Sequence, residues 1–112
     1  MQSALQEFKA EFFRALAHPI RVRLLEALVT GEKSVQQIQD ALGLDQPIVS
    51  QQLAVLRGKH IVVARKEGTV VHYSVRDPLL AELLDVARRI FNNQLIDSQT
   101  LLRELKREVR QA

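Results

Sequence analysis

Gly43 divides two short amphipathic stretches, and that division constrains the fold more than any other feature of the chain. Upstream, Ser34 is placed to cap a helix holding Val35, Ile38, Ala41 and Leu42. Gly43-Leu44 then makes a tight turn. Downstream, Asp45 is a natural N-cap, and Pro47 sits in a first turn, where a missing N–H costs little. At 100° per residue, Val49, Leu53 and Leu56 fall on one side of this second helix. Pro47, Ser50, Gln51, Ala54 and Gly58 fall on the other, and Gly58 is the expected stop. The helix is then about three turns, or roughly 20 Å. Two short helices around a glycine-containing turn make a helix-turn-helix, spanning about residues 34–58.

The outer face of the second helix lacks the Lys and Glu of an ordinary solvent face. Ser and Gln occupy its start, and only Ala and Gly follow on the same side. Small residues let a helix approach a grooved partner closely. Glutamine can pair with adenine in the DNA major groove, and serine can bond a base or a phosphate. The positive end of the helix also attracts phosphate. The plain alternative is a polar surface helix with no partner.

The remainder fits around this unit. Residues 3–16 carry Leu5, Phe8, Phe12 and Leu16 in one stripe, with Phe13 beside it. Ala17-His18-Pro19 breaks that helix. A second helix over about 19–30 buries Ile20, Leu24, Leu25 and Leu28 and ends at Gly31. Ile61–Lys66 and Val70–Val75 alternate around Glu67-Gly68-Thr69, which predicts a β-hairpin with Arg65 and Lys66 at its tip. Asp77-Pro78 opens the last helix, with apolar positions that include Leu80, Leu83, Leu84, Ala87, Ile90, Phe91 and Leu95. Asn92-Asn93 and Asp97-Ser98 are candidate breaks. Unbroken, this helix would run about 45 Å and overhang a globule whose radius of gyration is near 13 Å. Its stripe then needs a second chain, so the helices over about 3–16 and 78–110 are read as a homodimer interface. The expected fold is mainly α with a small β-hairpin (α+β). It is a winged helix-turn-helix of order α-α-α-α-β-β-α, one domain over 1–112 with its wing at 61–75.

Composition excludes several functions. The 112 residues include no cysteine, so no disulfide, thiolate metal cluster or thiol nucleophile exists, which fits a reducing cytoplasm. Four Phe, one Tyr and no Trp weaken the case for a base-stacking single-strand binder. No run approaches the roughly 20 apolar residues of a membrane span, and no signal peptide opens the chain. The net charge of +3 is compatible with nucleic acid without being diagnostic. Glycine-rich phosphate loops, Gly-x-Ser-x-Gly and His-Glu-x-x-His are absent, so no enzyme is indicated. The three histidines fall in three elements. His18 lies in a helix corner with a structural role expected. His60 follows the second helix of the helix-turn-helix, either solvated or bonded toward the last helix. His72 is expected on the outer face of a strand. Arg103, Lys106, Arg107 and Arg110 interleave with Glu104 and Glu108, and are read as the solvent face of the terminal helix rather than as a DNA-flanking patch.

Over about residues 4–92 the chain resembles the ArsR-type winged-helix repressors of bacteria and archaea. The resemblance rests on Phe13-Arg-Ala-Leu-Ala-His-Pro-Ile-Arg-Val-Arg-Leu-Leu25, on Leu44-Asp-Gln-Pro-Ile-Val-Ser-Gln-Gln-Leu53, and on Arg65-Lys-Glu-Gly68 followed by Tyr73-Ser74. It implies a cytoplasmic homodimer on an imperfect palindrome of double-stranded DNA, with repression relieved by an inducer. It places base contacts on Gln46, Pro47, Ser50 and Gln51, with Val35 approaching from the preceding helix. The wing from Arg65 through Lys66 to Thr69 would touch the flanking minor groove. The chain departs from the family at its metal sites. Ser34-Val-Gln-Gln-Ile38 stands where a Cys-x-Cys would be. Around Asp77, residues Leu79, Ile90 and Asn93 stand where histidines would be. One carboxylate does not make a tetrahedral site, so no cofactor is expected. The remaining metal arrangement would join His18 to Glu7 or Glu11 across the dimer. The rival function is a winged-helix protein-interaction module, since fold alone does not determine function.

Overall fold

The computed structural model describes residues 3–95 and 98–111. The elements are α1 (Ala4–Leu16), α2 (Pro19–Leu28), β1 (Lys33–Ser34), α3 (Val35–Leu42), α4 (Gln46–Gly58), β2 (Val62–Glu67), β3 (Val70–Val75), α5 (Leu79–Gln94) and α6 (Gln99–Gln111). Strand β1 and the separate α6 are additions to the expected order. The chain divides into two compact units, Met1–Pro78 and Leu79–Ala112.

The first unit closes around aliphatic side chains from four elements. Leu24, Leu25 and Leu28 of α2, Ile38 of α3, Val49, Leu53 and Leu56 of α4, and Val62 of β2 are all at most 2% exposed. Each such burial contributes roughly 1.5–3 kcal/mol. The phase read for α4 is therefore the phase it adopts. Ile20 is only half-buried and Ala41 is exposed, against expectation. At 100° per residue Ala41 lies about 60° round the helix from Ile38, away from Val35 and Leu42.

Local chemistry explains the helix ends. Ser3 with Gln6, and Ser34 with Gln37, form reciprocal capping boxes. His18 caps α2, its Nδ1 accepting from the Ile20 N–H at 3.1 Å. Gly43 ends α3 in the left-handed region at φ 66°, where a side chain would be strained. Asp45 holds the N-cap position of α4, but its side chain makes no cap hydrogen bond. Three distant cations serve C-terminal carbonyls. Arg21 donates to Ala15 and Arg14, Lys33 to Ala27, and Arg23 to Leu42. Positive charge there complements the negative ends of α1, α2 and α3.

Gly58 does not terminate α4 in the way expected. It is the last helical residue, and the left-handed residue is His60, at φ 59°. A non-glycine residue held there costs roughly 1 kcal/mol. His60→Gly is accordingly expected to raise stability by about 0.5–1 kcal/mol, read from the urea midpoint at fixed protein concentration.

The sheet has three antiparallel strands in the order β1-β3-β2. Glu67 pairs with Val70, so the turn is Gly68-Thr69 alone, shorter than the expected three residues. Gly68 supplies the positive φ of 62° that a two-residue hairpin turn needs. Arg65 and Lys66 belong to the ladder, opposite His72 and Val71, and not to the tip.

In the second unit, the helix expected over 78–110 is two helices. Asn92 and Asn93 continue α5, which stops at Gln94. Asp97, the other suggested break, lies outside the described residues. With 16 residues, α5 is about 24 Å long, so the overhang argument for a partner fails. Exposure is the better guide. On α5, Leu79, Leu83, Val86 and Ile90 form one stripe, and Leu80, Leu84, Ala87 and Phe91 a neighbouring one. Leu79, Val86 and Ile90 are 62%, 44% and 48% exposed, whereas Leu80 is buried. Leu80 is thus a correction to the expected interface set. Helix α6 meets α5, with Leu102 and Leu105 half-buried and Arg103, Lys106, Arg107 and Arg110 exposed. Among the described residues, no helix is long and apolar enough to cross a membrane.

Candidate nucleic-acid interface

The starts of α3 and α4 meet the start of β3 at an open groove of about 620 Å³. Its walls are Ser34, Val35, Gln36 and Gln39, then Gln46, then Thr69, Val70 and Val71. The structure therefore brings together Val35, Gln46 and Thr69, three residues placed in separate segments by the sequence. Gln36 and Gln39 were missed. Gln36 donates to Asp40 at 3.0 Å, which leaves its amide oxygen available. The lining holds no charged side chain.

Beside the groove, α4 exposes Pro47 and Gln51, while Ser50 is half-buried. Ser50 lies about 60° from Leu53 around the helix, so the edge of the core covers part of it. Gln52, on the flank near Leu56, accepts from Arg21 Nη1 at 3.0 Å. Arg21 thus connects the C-terminal end of α1 to the recognition helix. No periodicity could have shown this, because the contact crosses three elements.

Arg65 departs from the sequence reading. It is not a free positive charge beside the helix-turn-helix. Its Nη2 and Nε donate to the two oxygens of Glu32 at 2.7 and 3.2 Å. Its Nη1 donates to Glu67 at 2.9 Å. The Arg65 hydrogen bond, assisted by its charge, holds the Glu32 carboxyl below the usual carboxylate range. A carboxyl with a depressed folded-state pKa stabilises the fold fully above its unfolded value, and that stabilisation is lost as pH falls. The wing is therefore expected to loosen only below about pH 4.5, the ordinary glutamate value. Amide exchange across β2 and β3, followed from pH 7 to pH 3, checks this. Lys66, on the opposite face of β2, is exposed, and no ion pair involves it among the described residues.

The histidines do not converge. His18 Nδ1 is engaged in its cap, and His60 is exposed. His72 is half-buried, not on an outer face, with Nε2 3.8 Å from Glu67. Glu11 pairs with Arg14 and with Lys59. Among the described residues, no three His, Asp or Glu side chains gather as a metal set. At the positions of the two metal sites that the resemblance implies, Asp77 is the one carboxylate, beside Ser, Val, Gln, Leu, Ile and Asn, and one carboxylate does not make a tetrahedral site.

A helix-turn-helix whose second helix presents amides and a hydroxyl, flanked by a β-hairpin, defines a winged helix-turn-helix DNA-binding regulator. Comparison with known proteins agrees. The family model for bacterial regulatory proteins of the arsR family matches residues 18–62. The helix-turn-helix transcriptional regulator Rv0081 of Mycobacterium tuberculosis is 44% identical over 103 residues, covering 91% of this chain and 90% of its own. Its crystal structure aligns at a TM-score of 0.78, over 86% of this chain and 97% of that one. A biofilm growth-associated repressor of Xylella fastidiosa is 36% identical, over 76% of this chain and 75% of its own. A homodimeric winged helix-turn-helix DNA-binding domain from Mycobacterium bovis, solved by NMR, aligns at a TM-score of 0.75. It is 31% identical, over 84% of this chain and 91% of that one. The chain belongs to the ArsR family of bacterial regulatory proteins. It is a DNA-binding transcriptional regulator, a non-enzymatic class.

Proposed function

We propose that this protein is a cytoplasmic repressor that binds an inverted-repeat operator as a homodimer. Gln46, Pro47, Ser50 and Gln51 enter the major groove, with Val35 at its edge, while Lys66 and Thr69 meet the flanking backbone. The observation that carries this reading is the uncharged groove at the starts of α3 and α4. Amides and methyl groups there suit base edges, adenine and the thymine methyl above all. The exposed stripes on α1 and α5 take the second copy. Either an inducer other than a metal at the family's two usual sites releases it from DNA, or the chain senses nothing itself.

The test is titration of palindromic duplexes at several salt concentrations. Each phosphate neutralised steepens the log–log slope by about 0.9. Gln51→Ala is expected to cost about 1–3 kcal/mol of discrimination between cognate and altered half-sites. Its melting temperature should match that of the parent, because the side chain is exposed. Failure to bind any duplex would sink this reading and favour a protein-interaction module.

A further inference from the structure

We propose that Glu32 and Arg65 form a positioning pair that fixes the wing against the helix-turn-helix, and that Arg65 is not a phosphate contact. The inference rests on the DNA-binding reading above for its consequence, though not for its geometry. Two carboxylates take three N–H groups of one guanidinium. The local sum of charge is therefore −1, and an approaching phosphate meets a neutralised cation behind excess negative charge. To contact DNA, Arg65 would first have to surrender a two-point, charge-assisted contact, among the stronger kinds of hydrogen bonding.

The location gives the pair its role. Glu32 immediately precedes β1, whose Ser34 pairs with His72 and caps α3. Arg65 lies in β2, opposite the same His72. The pair thus ties the outer strand of the wing across β3 to the segment that leads into α3. One wall of the groove is Ser34 and Val35, and another is Thr69, Val70 and Val71. Glu32 and Arg65 line neither wall, yet they tie β2, the hairpin partner of the strand that carries one wall, to the segment that leads into the other. Strand alternation puts Lys66 on the other face, so the charge that meets DNA and the charge that holds the wing are adjacent residues with separate tasks.

The experiment compares Arg65→Gln, Glu32→Gln and the double variant in the full chain. Operator affinity is measured across salt concentrations, and amide exchange across the wing is measured without DNA. If the pair positions the wing, each single variant weakens binding by about threefold, the scale of an exposed ion pair. The log–log salt slope stays that of the parent, and the double variant is no weaker than the weaker single one, as expected for coupled partners. Exchange across Lys66–Val71 speeds up in all three. The proposal is overturned if Arg65→Gln flattens the slope by about 0.9 while Glu32→Gln tightens binding. It is equally overturned if wing exchange is unchanged. A parent protein that binds no duplex would count against the repressor reading alone, because the exchange measurement still decides the pair.

Discussion

Replacing Leu53 with alanine is expected to destabilise the protein by about 2–5 kcal/mol, as large-to-small changes in a packed core do. Leu53 is fully buried in α4, between Val49 and Leu56, in a core that also draws on α2, α3 and β2. A domain of this kind has about 5–15 kcal/mol of net stability, so a large share disappears with one side chain. Urea unfolding at a fixed protein concentration measures the change, with the slope against denaturant expected to stay constant. The comparison that gives the number meaning is Gln51→Ala, two residues away on the same helix. It should change stability by no more than about 0.5 kcal/mol. Equal costs for the two substitutions would mean that the helix does not present the face described.

The contrast between Leu53 and Gln51 was legible in the sequence because helix phase is local. Three aliphatic residues at helical spacing, a capping serine and a glycine at the turn lie within 25 consecutive positions, Ser34–Gly58. The hairpin was legible for the same reason. Other features depend on where remote segments meet. Arg23 and Leu42 are joined only because α2 crosses the end of α3. Glu32 lies in the connection between α2 and β1, 33 residues before Arg65, and neither residue stands out from an ordinary surface charge. As a result, a wing arginine that the sequence presents as a DNA contact is held by two carboxylates.

The sequence left the continuity of the last helix open for a different reason. A continuous apolar pattern over 80–109 fits one rod or two helices folded on each other equally well, because periodicity does not record a change of direction. Likewise, α5 is apolar on two adjacent stripes, and the pattern alone does not say which one the chain buries. Exposure separates individual positions: Leu80 is buried, whereas Leu79, Val86, Ile90 and Phe91 are open. It removes Leu80 from the candidate interface and adds Leu79 and Val86.

That separation sharpens the prediction about the dimer. Phe8→Asp and Val86→Asp are each expected to leave the protein folded, to convert it to a monomer, and to weaken operator binding by about 10²–10⁴-fold, the advantage that two linked half-sites have over one. Phe8 is 73% exposed and Val86 44% exposed within one chain. A carboxylate at either position therefore stays in water in the monomer, and folding has little to lose. Phe12 and Leu83, which belong to the same stripes, are half-buried, so a charge there would confuse unfolding with dissociation. In the proposed dimer the same carboxylate would be taken out of water without a partner, at a cost of several kcal/mol. Sedimentation at micromolar concentration reads the assembly, circular dichroism reads the fold, and a titration with single and paired half-sites reads the function. The decisive pattern is a folded monomer that has lost its preference for the paired site while retaining weak binding to the single one. A Phe8→Asp or Val86→Asp protein that remains dimeric and binds the paired site normally would show that these stripes are not the interface.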